Sequence, residues 1–202
     1  MALLNSGKIK GKGYPLVQAF PIKPQHFTHS GLGWQQFKAL QRAFEDSPGV
    51  RVNYFDGDVE ILTVSPQHGI IAGNLGFLLE LWMLEQGIAF VATGDMTVER
   101  DQVASAQGDK SYCFSDRKTI PDLSIEVVIA GEGSTKLARY AALGVSEVWF
   151  WQNSEIAIYQ LEGTRYAKVE VSQYAPGLNL SNLAACVVIE SRAAALAKFK
   201  AG

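Results

Sequence analysis

The chain has 202 residues, 18 Lys and Arg against 20 Asp and Glu, and a formal net charge of −2. That length suits one domain with a full hydrophobic core, and 48% apolar with 19% charged residues excludes an intrinsically disordered chain. The near-neutral balance excludes the globally basic character of proteins that coat nucleic acid and leaves room for a local basic patch.

In chain order, residues 1–30 are rich in Gly, Lys and Pro and read as a partly ordered arm before a single domain over 31–202. Trp34, Phe37, Leu40, Gln41 and Phe44 recur at helical spacing, and Pro48-Gly49 ends that helix. Two β-rich runs, Val50–Phe55 and Val59–Val64, flank Asp56-Gly57, which is the pattern of a hairpin with a tight turn. Pro66–Gln86 is the longest helix and Gly87 ends it; Ile88–Ala92 follows as a short strand. The most apolar helix-length window, Gly73–Ala92, contains Glu80 and Glu85, so it reads as a core helix and not a membrane span. With no signal peptide visible and only Cys113 and Cys186 as thiols, the expectation is a soluble cytoplasmic protein with no membrane partner.

Further strands are expected at Lys110–Ser115 and Asp122–Ile129, then a helix over Ser134–Leu143 with Ser134 as its cap and Gly144 at its end. Strands Glu147–Gln152, Ile156–Leu161 and Tyr166–Val171 come next, and an Ala-rich C-terminal helix runs from Leu183 to Lys200. The pattern is that of an α/β (α+β) fold with a largely antiparallel sheet. The aromatic strand Trp149-Phe-Trp151, with Tyr159, fits either the core or the interface of a homodimer.

One pair of strands carries chemistry. With Asp116–Thr119 as the loop, Ser115 faces Ile120, and the register sets Cys113 opposite Asp122, Ser111 opposite Ser124 and Asp109 opposite Glu126. The alternate face is mostly apolar: Lys110 with Ile125, Tyr112 with Leu123, Phe114 with Pro121. Opposed Cβ atoms lie roughly 5 Å apart, where two carboxylates repel unless they share a proton or a cation. A hard divalent ion such as Mg²⁺ fits the Asp109/Glu126 pair; a solvated face of ordinary acids fits the spacing equally. Asp122 lies about 13 Å along the strand from Glu126, too far to share one ion, and reads as a strand-start residue. Lys136 falls in the first turn of the following helix, where the macrodipole disfavours a cation. A nearby anion, either a phosphate or the Asp109/Glu126 pair, would offset that, although an exposed lysine also fits. Arg139 and Tyr140 share its helical face. Lys110, Arg117, Lys118, Lys136 and Arg139 are the basic residues available to a phosphate backbone.

Phe55-Asp-Gly-Asp-Val-Glu-Ile-Leu, Ser65-Pro-Gln-His68, Gly108-Asp-Lys-Ser-Tyr-Cys-Phe114, Pro121-Asp-Leu-Ser-Ile-Glu-Val127 and Lys136-Leu-Ala-Arg-Tyr-Ala-Ala-Leu-Gly-Val-Ser-Glu-Val-Trp149 stand in that order. Together they resemble a bacterial family of restriction-endonuclease-like domains in the PD-(D/E)XK nuclease superfamily, over about residues 34–172. The resemblance implies a mixed sheet flanked by helices and a metal-dependent endonuclease that hydrolyses nucleic acid, DNA above all. Asp109 and Glu126 would hold Mg²⁺ or Mn²⁺. Lys136 would stabilise charge on the phosphate, Glu60 would bind a second ion or orient a water, and His68 would assist proton transfer. The superfamily's lysine two residues after the Glu is Val128 here, a proline before the Asp is Gly108, and a frequent glutamate is Asn53. Val128 keeps open a second expectation: a catalytically weak or inactive nucleic-acid- or partner-binding module on a nuclease scaffold.

Overall fold

The computed structural model describes residues 25–129 and 133–202. The first sheet begins with β1 (His26–His29), an exposed edge strand, and residues 1–24 of the expected arm lie outside the described part. After α1 (Trp34–Ala43), β2 (Val50–Phe55) and β3 (Asp58–Thr63) form the expected hairpin. Its two turn residues, Asp56 and Gly57, both take positive φ, 49° and 85°, the twist that matches right-handed strands; glycine adopts it without strain. β-branched and aromatic residues at alternate positions of this hairpin, Val52, Tyr54 and Val59, pack on Phe37 of α1. Arg51, Asn53 and Glu60 therefore point the other way, into the molecule.

α2 (Pro66–Glu85) starts at Ser65, whose hydroxyl accepts from the His68 N–H at 3.2 Å, and Pro66 at its first position needs no partner for its nitrogen. β4 (Phe90–Gly94) follows. Next come β5 (Thr97–Arg100) and β6 (Ala104–Gln107), two short strands that the sequence reading does not anticipate. They complete a five-stranded sheet in the order β1-β3-β2-β6-β5, antiparallel throughout.

β7 (Lys110–Phe114) and β8 (Leu123–Val128) belong to the second sheet, as do β9 (Glu147–Gln152), β10 (Glu155–Glu162) and β11 (Arg165–Val169). Its order is β11-β10-β9-β8-β7-β4, with β8 and β9 parallel and the other neighbours antiparallel. The fold is mixed α+β, with two largely antiparallel sheets instead of one. A parallel pair needs a crossover. Here a 3₁₀ turn, Gly133–Lys136, leads into α3 (Leu137–Leu143), ended by Gly144 at φ 84°. The helix thus starts three residues later than expected, with Lys136 and not Ser134 at its N-cap; residues 130–132 of the loop lie outside the described part. The Gly133 position is tight: a Cβ there would lie 2.6 Å from a ring carbon of Phe150. Gly133→Ala should lower stability by about 1–3 kcal/mol, read as a shift in the urea-unfolding midpoint, because the turn cannot move away without moving Lys136.

The C-terminal segment forms two helices, α4 (Leu180–Cys186) and α5 (Arg192–Ala201), and not one. Asn179 and Ser191 cap them separately, each accepting from the N–H three residues on, so the break is written into the capping residues. These helices and α2 bury one face of the second sheet. There Leu75, Leu78, Leu79 and Met83 meet Tyr112, Leu123, Ile125 and Trp149. The opposite face, with Val128, Val148 and Phe150, packs on α3 and on Val98, Ala104 and Ala106 of the first sheet. Trp149, Phe150 and Trp151 are no more than 5% exposed within one chain, so the Trp149–Trp151 strand is core and not a dimer surface. Both cysteines are free and buried, and among the described residues no helix is long and apolar enough to cross a membrane.

Candidate active site

The β7/β8 ladder pairs Lys110 with Ile125, Ser111 with Ser124 and Tyr112 with Leu123, the register that alternation requires. Asp109 stands just before β7, where its N–H donates to the Ile125 carbonyl at 2.9 Å and so holds it beside the Ile125–Val127 stretch of β8, next to Glu126. This face is not solvated. Asp109 and Glu126 are each 3% exposed, and Ser111 and Ser124 are fully buried, because the first sheet and α3 cover them. The ordinary-acids alternative fails on that burial, since isolated carboxylates do not stay charged away from water.

Each acid is held by donors from other elements. Arg51 of β2 pairs with Asp109 Oδ1. Asp109 Oδ2 accepts from His68 Nε2 at 3.1 Å and from the Val127 N–H at 2.6 Å. Burial alone would raise the Asp109 pKa, but the His68 hydrogen bond, the Arg51 charge and the Val127 N–H together hold it below the ordinary carboxylate value. On Glu126, Oε2 accepts from Lys136 Nζ at 2.7 Å and Oε1 from the Tyr140 hydroxyl at 2.6 Å. Burial, reinforced by the Glu126 charge, pushes the Tyr140 pKa well above its ordinary value, so the hydroxyl keeps its proton and donates. Lys136 and Tyr140 stand four residues apart and so reach the same carboxylate from one side of the crossover.

Glu60 lies beside this pair on the inner face of β3. Arg139 Nη1 donates to its Oε2 at 2.8 Å, Asn53 Nδ2 to the same oxygen at 3.0 Å, and His26 Nε2 lies 2.9 Å from Oε1. Asn53 Oδ1 also accepts from the Gln107 N–H at 3.0 Å, which extends the β2–β6 edge of the first sheet to within two residues of Asp109. A glutamate at position 53 could not donate to Glu60, so the amide is what this neighbourhood needs. Among the walls of the adjoining cleft, about 240 Å³ in volume, are His26, Thr28, Glu60, Lys136 and Arg139.

All five expected site residues, Asp109, Glu126, Lys136, Glu60 and His68, thus fall in one neighbourhood. His68 sits against Asp109 and orients it. Sequence reasoning missed Arg51 and His26; the signal for Arg51 was a cation on the inward side of an alternating strand. Of the five basic residues expected at a phosphate, three fall elsewhere. Lys110 lies over Gly76 on the α2 face, where a Cβ at position 76 would be 2.8 Å from Lys110 Cε. Arg117 is on the exposed β7–β8 loop, and Lys118 pairs with Asp122 at 2.7 Å. Asp122 has the expected strand-start role, accepting from the Phe114 N–H at 2.8 Å.

Burial would raise the Glu60 pKa, but Arg139 first and Lys136 next bring it from 4.5 to about 2. A carboxyl with a lowered folded pKa adds stability that is complete above its unfolded value and is lost as pH falls toward the folded one. For Glu60 that window runs from about 4.5 down to about 2, and the contribution is roughly 3 kcal/mol. Urea unfolding between pH 6 and pH 3 should therefore show a shallower acid decline for Glu60→Gln than for the native chain.

The donor set suits a hard divalent cation of the kind that takes one or two carboxylates and completes its shell with water and phosphate oxygens. Among the described residues no group of three or more His, Cys, Asp or Glu is arranged to cage a metal by itself. The family model described as "Putative restriction endonuclease", Uma2, matches residues 34–189. The chain belongs to the Uma2 family. In structure it resembles a putative nuclease belonging to DUF820 from Anabaena variabilis ATCC 29413, with a TM-score of 0.51 and 16% sequence identity, over 72% of this chain and 97% of that one. That likeness supports a nuclease-like fold for this Uma2 chain. No curated protein matches it.

Proposed function

We propose that this Uma2 chain is a metal-dependent endonuclease that hydrolyses phosphodiester bonds, with DNA as its substrate in the cytoplasm. The observation that carries the reading is the burial of Asp109 and Glu126 on neighbouring strand segments, with Lys136 on Glu126. Asp109 and Glu126 would hold Mg²⁺ or Mn²⁺, which when bound supplies Lewis-acid polarisation of the phosphate and a lower pKa for the attacking water. Lys136 neutralises charge that builds on the phosphate oxygens. Tyr140 fixes the rotamer of Glu126; Arg51, His68 and the Val127 N–H fix that of Asp109, so neither acid reorganises during the reaction. Glu60, anionic and bordering the cleft, orients a water.

Incubation of the chain with plasmid, single-stranded DNA and RNA under Mg²⁺ or Mn²⁺ should give cleavage that chelation stops. Asp109→Asn and Glu126→Gln should abolish it. Cleavage that survives both substitutions rejects the assignment. A second reading, a binding module without catalysis, is favoured by Val128, which is 5% exposed and packed in the apolar core where the superfamily carries its lysine. Nucleic-acid binding without any Mn²⁺ uptake, measured by calorimetry, would select it.

A further inference from the structure

Three carboxylates and three permanent cations form the site: Asp109, Glu126 and Glu60 against Arg51, Lys136 and Arg139. The least covered of these side chains, that of Lys136, is 16% exposed. The charges of these six side chains balance, three against three. A divalent cation added to them leaves two buried charges unbalanced, a state that low-dielectric surroundings penalise heavily. A phosphodiester and the hydroxide that attacks it bring one negative charge each and restore neutrality.

We propose that Lys136 is a built-in counter-ion that keeps a divalent cation off the Asp109/Glu126 pair until a phosphodiester draws the lysine away, so that cation and phosphate bind cooperatively. The proposal rests on the nuclease reading above and adds to it the order in which the site fills.

The geometry singles out Lys136 as the group that moves. It holds one oxygen of Glu126 through a single 2.7 Å contact, from a flexible stem, and borders the cleft where a phosphate would lie. Tyr140, on the other oxygen, is fully buried, and as a neutral donor it does not oppose a cation nearby. Arg51 cannot leave cheaply. It is buried beside Asp109, is drawn toward both acids, and also reaches the Gln107 carbonyl at 3.5 Å. Lysine on Glu126 and a cation on Glu126 are thus alternatives, and the phosphate decides between them.

The test is Mn²⁺ binding to the full chain, followed by electron paramagnetic resonance of the free ion, with and without diethyl phosphate, a phosphodiester monoanion. Diethyl phosphate should tighten Mn²⁺ binding to the native chain by about tenfold, within the ordinary range of coupling between two sites. Lys136→Met should bind Mn²⁺ about tenfold more tightly than the native chain without diethyl phosphate and gain little when it is added. Lys136→Gln serves as the second variant, and thermal melts establish that both are folded. Folded variants with Mn²⁺ affinity at or below that of the native chain overturn the proposal, as does a native chain indifferent to diethyl phosphate. Coupling in a chain that cleaves no nucleic acid sustains this proposal and rejects the nuclease reading. Cleavage dependent on Asp109 and Glu126 without coupling rejects this proposal alone.

Discussion

Asp109→Ala should cost the folded chain about 3–5 kcal/mol, because it leaves the Arg51 guanidinium buried with no carboxylate beside it. Arg51 and Asp109 are 11% and 1% exposed at their side chains, so water cannot take over the lost partner. The same substitution strips the acceptor from the His68 ring and from the Val127 N–H, each a buried donor left unsatisfied. Urea unfolding measures the loss directly. The double variant Asp109→Ala/Arg51→Met should recover much of it, since removing both charges from a buried pair is far less damaging than removing one. A double variant no more stable than Asp109→Ala would show that the destabilisation comes from the lost hydrogen bonds and not from the stranded cation.

Lys136→Ala should reduce kcat for phosphodiester cleavage by roughly 10²–10³-fold, the usual effect of deleting one group that stabilises charge in the transition state. KM should rise as well, because Lys136 leaves Glu126 for the phosphodiester when substrate binds, so the substitution also removes a ground-state contact. Steady-state kinetics on a short duplex would separate the two constants. Together with Mn²⁺ binding, this variant has a signature that a misfolded protein cannot imitate: the metal binds more tightly while the reaction slows. Equal losses in kcat and in metal binding would instead mean that Lys136 merely supports the carboxylates.

Much of the site could be read from the chain because strand alternation leaves little freedom. A shift of one residue between β7 and β8 would have put Tyr112, Leu123 and Ile125 among the acids, and the structure keeps them on the α2 side. What alternation within one hairpin cannot reveal is the element that covers it. β5 and β6 are four residues each, and β6 reads Ala-Ser-Ala-Gln, with no β-branched or aromatic residue to mark it as a strand. Their absence from the reading turned two sheets into one and left the face of Asp109 open to solvent. The Arg139–Glu60 pair joins residues 79 positions apart, and no local pattern contains such a contact. The division of the C-terminal helix was visible in principle, since Ser191 before Arg192-Ala-Ala-Ala is a capping residue before a helix-forming run. Its alanine content masked the break.

The parallel pairing of β8 with β9 makes one short crossover both a structural link and the carrier of three working side chains. Deleting a single residue between Lys136 and Tyr140 would turn the helix beyond it by about 100°. Lys136 and Tyr140 could then no longer both reach Glu126, nor Arg139 reach Glu60. The β9–β10 connection, Asn153-Ser154, carries no such cargo. Length changes among relatives of this chain should therefore collect at that hairpin tip, while the spacing from Lys136 to Tyr140 stays constant.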